Sequence, residues 1–105
     1  MTVRSTLLSV SNLAVLQVAE NQQYAVTSMF YCNTTDQESV LQVYIVPGGD
    51  TPRNDNKIIH DLTISPGDTF TFDTEKIILD SGDSIQAKVN PSGGISCTVS
   101  YVRVA

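Results

Sequence analysis

The feature that most constrains this chain is a period-two alternation of apolar and polar side chains, restarted after each of several turn signals. In "TFTFD", Phe70 and Phe72 alternate with Thr69, Thr71 and Asp73. In "SIQAKV", Ile85, Ala87 and Val89 alternate with Ser84, Gln86 and Lys88. "ISCTVSYVRV" sets Ile95, Cys97, Val99 and Tyr101 against Ser96, Thr98 and Ser100. "SVLQVYIVP" groups Leu41, Val43 and Ile45 before stopping at Pro47, and "KIIHDLTI" groups Ile58, His60, Leu62 and Ile64. "YAVTSMFYC" puts Tyr24, Val26, Phe30 and Cys32 on one face, with Ser28 among them, and Ala25, Thr27, Met29 and Tyr31 on the other. A helix needs apolar spacings of three and four, and these are nearly absent. Strands with one apolar and one polar side belong to antiparallel sheets that cover a core on one face only.

The turn chemistry agrees. Asn33-Thr34-Thr35-Asp36, Ser65-Pro66-Gly67-Asp68 and Ser81-Gly82-Asp83 are compact stops, where Pro presets φ, Gly accepts positive φ and Asp accepts from turn amides. Asn90-Pro91-Ser92-Gly93-Gly94 joins the last two strands, and Pro47–Asn56 is a longer polar loop. Strands are predicted near 13–18, 24–33, 39–46, 57–64, 69–73, 76–80, 84–89 and 95–104. The fold class is all-β: a single-domain antiparallel β-sandwich of about eight short strands, with residues 13–105 as the sandwich. Jelly-roll and immunoglobulin-like strand orders both fit this pattern. Residues 1–12 are either an N-terminal arm that adds a strand to a neighbour or the first edge strand of the same domain.

Composition narrows function mainly by exclusion. Eleven acids against six scattered bases give a net charge of −5, the wrong sign for a nucleic-acid surface. No apolar run reaches the ~20 residues that span a bilayer. Ser5, Thr6, Ser9, Ser11, Asn12 and Gln17 interrupt the apolar start of the chain, so it reads as a mature arm and first strand and not as an export signal. Cys32 and Cys97 both fall on core-facing phases of this alternation. They can be a disulfide across the sandwich or two buried thiols, and without an export signal the thiols are favoured.

Candidate chemistry is sparse. Asp73 and Glu75, and Asp80 and Asp83, are carboxylate pairs at turns, better read as solvated turn residues than as an acid and base. Asp50, Asn54, Asp55 and Asn56 supply oxygens but lack the calcium-loop spacing, so neither a metal nor another cofactor is expected. His60 is expected to point inward among apolar neighbours, with no nucleophile assigned to it, and no catalytic residue is identified. Val3, Leu7, Leu8 and Val10 in the N-terminal segment, and Tyr31 and Tyr44 on polar phases of their strands, are the candidate interface residues. Exposed tyrosines of this kind also suit a carbohydrate platform.

The motifs "SMFYCNTT", "VYIVPGG", "DLTISPGDTFTFDTEKIILDSGDSIQA" and "CTVSYVRV" together resemble a group of small virion proteins of tailed bacteriophages, including those of marine cyanobacteria. The likeness runs from about residue 6 to 104. Its most specific part is Pro66-Gly67-Asp68-Thr69, then Glu75-Lys76, then Leu79 with Ser81-Gly82-Asp83. The resemblance implies a non-enzymatic structural β-sandwich on the virion, assembled in the host cytoplasm. Its expected role is capsid decoration (cement) or a neck or tail accessory. The expected partners are major capsid or neck and tail proteins and further copies of the chain, with neither nucleic acid nor membrane. The alternative is a host-recognition module that binds a surface glycan.

Overall fold

The computed structural model describes residues 2–72, 77–91 and 93–105. Among the described residues nine strands carry the fold: β1 (Thr2–Leu7), β2 (Leu13–Gln17), β3 (Tyr24–Asn33), β4 (Ser39–Val46), β5 (Lys57–Ile64), β6 (Thr69–Phe72), β7 (Ile77–Leu79), β8 (Ser84–Asn90) and β9 (Ile95–Arg103). One 3-10 turn, Asn54–Asn56, interrupts the long loop before β5. Asp73, Glu75 and Lys76 lie outside the described residues.

The pairings β4:β5, β3:β6, β3:β7, β2:β8 and β1:β9 are all antiparallel and nested. They describe one long hairpin doubled back at the 47–56 loop. Rolling that hairpin up adds β4:β8 and β3:β9 and splits it into two sheets. Sheet A runs β1-β9-β3-β6, with β7 continuing the β6 edge along β3, and sheet B runs β2-β8-β4-β5. This is the jelly-roll order, which decides between the two sandwiches that alternation leaves open.

The inner faces supply the core: Val26, Met29, Tyr31, Ile95, Cys97 and Val99 from sheet A pack against Leu41, Val43, Ile59, Ile64, Ile85, Ala87 and Val89 from sheet B. The chain changes sheets at Leu8 and Ser9. Leu8 is buried, its N–H donates to Ile95 O at 2.8 Å, and Ser9 O accepts from Val89 N–H at 3.0 Å. The β8–β9 turn lies against this crossing. A Cβ on Gly93 would sit 2.7 Å from Leu8 O, and Gly94, at φ +117°, has no room for one beside Thr35. Only glycine fits both places without a shift.

Bulges set which side chains face inward. Thr27 is the extra residue of a bulge between Val26 and Ser28, opposite Tyr101 and Ser100, and its hydroxyl donates to Ser100 at 3.0 and 2.9 Å. Beyond that point the phase of β3 inverts. Met29 and Tyr31 enter the core, while Phe30 and Cys32 turn outward, the reverse of the unbroken alternation. Val15 is the extra residue in β2, so both Val15 and Leu16 are buried. β5 slips twice against β4, and Asp61 sits there at φ +52°. Ile59, Leu62 and Ile64 therefore face the core, and Ile58 and His60 do not.

Asn33, at the end of β3, is a buried polar hub. Its amide donates to Gln37 O at 2.8 Å and Ile64 O at 2.9 Å, and its Oδ1 accepts from Thr35 N–H and hydroxyl at 3.0 and 2.7 Å. Among the described residues, no buried side-chain nitrogen or oxygen lacks a partner.

A candidate docking face on sheet A

Cross-strand register tells which residues share the outer face of sheet A, because directly paired residues point the same way. From β1 come Val3, Ser5 and Leu7, paired to Ser100, Thr98 and Ser96 of β9. These continue across β3 to Ser28, Phe30 and Cys32, and on to Thr71 and Thr69 of β6. At the far end Val102, Ala25 and Ile78 complete the set. Every one of these side chains is uncharged. Val3 is 61% exposed, Leu7 63%, Phe30 39% and Ile78 53%. The short hydroxyls between them cannot fold over apolar neighbours.

β1 contributes to this face by an inverted polarity. Its Thr2, Arg4 and Thr6 pair with Tyr101, Val99 and Cys97 and so point to the core side, while Val3 and Leu7 point to solvent. Burial within this chain does not reward that arrangement. Arg4 also places a charge on the inward side of an edge strand, a device that discourages further strand pairing at that edge.

The acids are elsewhere. Of the described Asp and Glu residues, only Asp61 belongs to a strand, and the rest occupy connections between strands. Asp80 and Asp83 serve their turn: Asp83 accepts from Gly48 N–H at 2.9 Å and Asp80 N–H at 3.0 Å, while Asp80 accepts from Gln23 at 2.7 Å. In the 47–56 loop, Arg53 lies 3.3 Å from both Asp50 and Asp55. Asn56 accepts from Arg53 N–H at 2.9 Å and donates to Thr51 O at 3.0 Å. The loop's polar groups are thus turned on one another. Among the described residues, no three His, Cys, Asp or Glu side chains gather as metal ligands.

The interface candidates separate. Val3 and Leu7 lie on the outer face of sheet A, and Val10 is exposed in the β1–β2 crossing. Leu8, Tyr31 and Tyr44 are not available for contact. Leu8 is in the core at the crossing, and Tyr31 is fully buried behind the Thr27 bulge. Tyr44 does lie on the outer side of sheet B, but neighbouring side chains leave only 5% of it exposed. Its hydroxyl donates to Gln42 Oε1 at 3.1 Å, and Lys57 Nζ sits 5.4 Å above its ring. Tyr24 and Tyr101 stack at 4.7 Å and pack against the core. A platform of exposed tyrosines for a sugar is therefore not formed.

His60 is exposed, not inward. Lys57 Nζ donates to its Nδ1 at 3.0 Å, and its Nε2 lies 3.2 Å from Asp61 Oδ2. Both cysteines belong to the other sheet. They also point to opposite sides of that sheet, since Cys32 pairs with Ser96 outward and Cys97 with Tyr31 inward. The expectation that both face the core fails at the Thr27 bulge, and the two thiols are free. Burial lifts the Cys97 thiol from its ordinary 9.0 to about 12, with the Tyr31 hydroxyl beside it pulling the other way. Burial, aided by Cys97, also raises Tyr31 well above its ordinary 10.0. Both groups stay neutral at physiological pH, which leaves Cys97 inert as a nucleophile.

Two surface depressions lie among the described residues. Leu62, Ile64, Thr69 and Phe70 line one of about 170 Å³ between β5 and β6, and Asn54, Lys57 and His60 border another of about 300 Å³. The first is smaller than ordinary small-molecule sites, and the second is only as large as the smallest of them. Phe30 and Ile78, exposed apolar residues of this face, owe their place to the Thr27 bulge and to β7 pairing across Ala25. Comparison of the chain with protein-family models, curated proteins and solved structures finds no match.

Proposed function

We propose that this chain is a structural accessory protein of a tailed-phage virion, a capsid decoration or neck or tail component, that acts by docking and not by turnover. The observation that carries the docking part is the charge-free outer face of sheet A with Val3, Leu7, Phe30 and Ile78 exposed on it. Apolar side chains at the centre of a patch with charge excluded to its surroundings are the composition of an interface core. The virion part rests on the motif resemblance between residues 6 and 104. A jelly roll with its described acids, Asp61 apart, on the connecting loops keeps a soluble exterior while offering one neutral side to a neighbour.

The test is the composition of the particle. Mass spectrometry of gradient-purified phage particles that encode this chain is expected to find it in fixed proportion to the major capsid protein. Its absence from intact particles, with the protein abundant in the lysate, would overturn the reading.

A further inference from the structure

We infer that the outer face of sheet A is occupied by the same face of a second copy, giving a two-fold dimer packed sheet on sheet. This rests on the reading of that face as a docking surface and names its partner.

Three observations favour a second copy. The first is charge. Each chain carries a net charge of −5, so two copies repel over most orientations. On sheet A the described outward positions are uncharged, and the described acids other than Asp61 sit on loops, so a face-to-face approach buries no carboxylate of the described residues. The second is the chemistry of the hydroxyls. A carboxylate needs a cationic partner, but a hydroxyl both donates and accepts. A face built of Ser5, Ser28, Thr71, Ser96 and Thr98 around Val3, Leu7 and Phe30 is complementary to itself, as an isologous contact requires. Ser5 and Thr98 already meet at 3.3 Å with either as donor.

The third is area. Four strands at ~4.8 Å spacing and about eight residues at ~3.3 Å rise give a face of roughly 500 Å² in plan. Two such faces bury on the order of 1,000 Å², the lower bound of a specific interface. Face packing also uses what an edge contact would waste. Strand addition at β1 would leave Val3 and Leu7 in water and would have to accommodate Arg4 at the edge. Packing sheet on sheet covers both apolar residues and explains the inverted polarity of β1.

Sedimentation equilibrium of the full chain, from about 1 to about 500 μM, is expected to show a reversible monomer–dimer equilibrium. Leu7→Lys and Phe30→Lys, each at an exposed position and each with an unchanged circular-dichroism spectrum, are expected to weaken the dimer by at least about tenfold. Gln42→Lys on sheet B should change it by less than about twofold. Raising salt from about 20 to about 200 mM should tighten the dimer by roughly threefold, because the interface holds no ion pair and only the net repulsion is screened. A monomer at every concentration overturns the inference, as does a dimer indifferent to both lysine variants or weakened by salt. Cross-links from this face to a different virion protein in intact particles would overturn it too, while leaving the virion reading standing. A dimer absent from particles would do the opposite.

Discussion

The two outer faces of the sandwich are both antiparallel sheets, finished in opposite ways. On sheet B, long polar side chains make a roof. Lys57 Nζ lies over the Tyr44 ring at 5.4 Å and donates to His60 at 3.0 Å, His60 meets Asp61 at 3.2 Å, and Gln42 joins Asp61 at 2.7 Å and Tyr44 at 3.1 Å. The circuit closes on itself, and Tyr44 is buried on a surface. Among its described residues sheet A has no such side chains outward, and Phe30, of a size similar to Tyr44, stays exposed at 39%. Side-chain length therefore decides whether an outward aromatic is covered from within the chain or left for another chain. A surface that satisfies itself has little to offer a partner, and one that does not is where docking is expected.

The sharpest way to break this comparison is to truncate the two aromatics. Tyr44→Ala should lower the unfolding free energy by about 3 kcal/mol, and Phe30→Ala by less than about 1 kcal/mol, in urea titrations at concentrations that keep the chain monomeric. Equal losses would mean that sheet A is not the unfinished face.

The next test contrasts the two sides of sheet A through its thiols. Cys97 and Tyr31 are neutral groups whose pKa values folding raises. The Cys97 contribution is fully present below about pH 9 and is lost as pH climbs toward about 12, and the Tyr31 contribution, fully present below its ordinary 10.0, is lost only above that. Inside its window the Cys97 thiol removes about 1.4 kcal/mol per pH unit. Denaturation midpoints measured from pH 8 to 11 should fall accordingly. The fall should be shallower in Cys97→Ala. A thiol reagent should modify Cys32 well before Cys97.

The smallest effect concerns the roof. Gln42→Ala removes the bonds to Tyr44 and Asp61 and should cost about 1 kcal/mol, since the freed groups reach water. It should also expose Tyr44 to quenchers. No change in Tyr44 accessibility would show that Lys57 alone covers the ring.

Much of the fold was legible before any coordinates. The predicted strands at 24–33, 39–46 and 57–64 match the observed ones, and the others agree within a residue or two. Alternation is local, and it holds along the strands except where a bulge shifts it, in β2, β3 and β5. The docking face was only half legible. Val3 and Leu7 could be named because they sit beside polar residues in a segment of mixed polarity. Phe30 could not, because its direction depends on Thr27 being the extra residue in β3. Tyr31 and Cys32 went astray for the same reason, and His60 through the slips in β5 around Asp61. Tyr44 was placed on the correct side, but its cover comes from Gln42 and Lys57, the latter a residue of the next strand.

Sequence by itself determined that this chain forms short strands with one apolar side and turns at set places, because a two-residue period and Gly, Pro and Asp chemistry act over a few residues. Tertiary structure alone decided the rolled strand order and the side on which each residue lies beyond a bulge. A bulge forms where a distant strand accepts the extra residue, as Ser100 does for Thr27, 73 positions away. That long-range choice is what turned Tyr31 into core and Phe30 into surface.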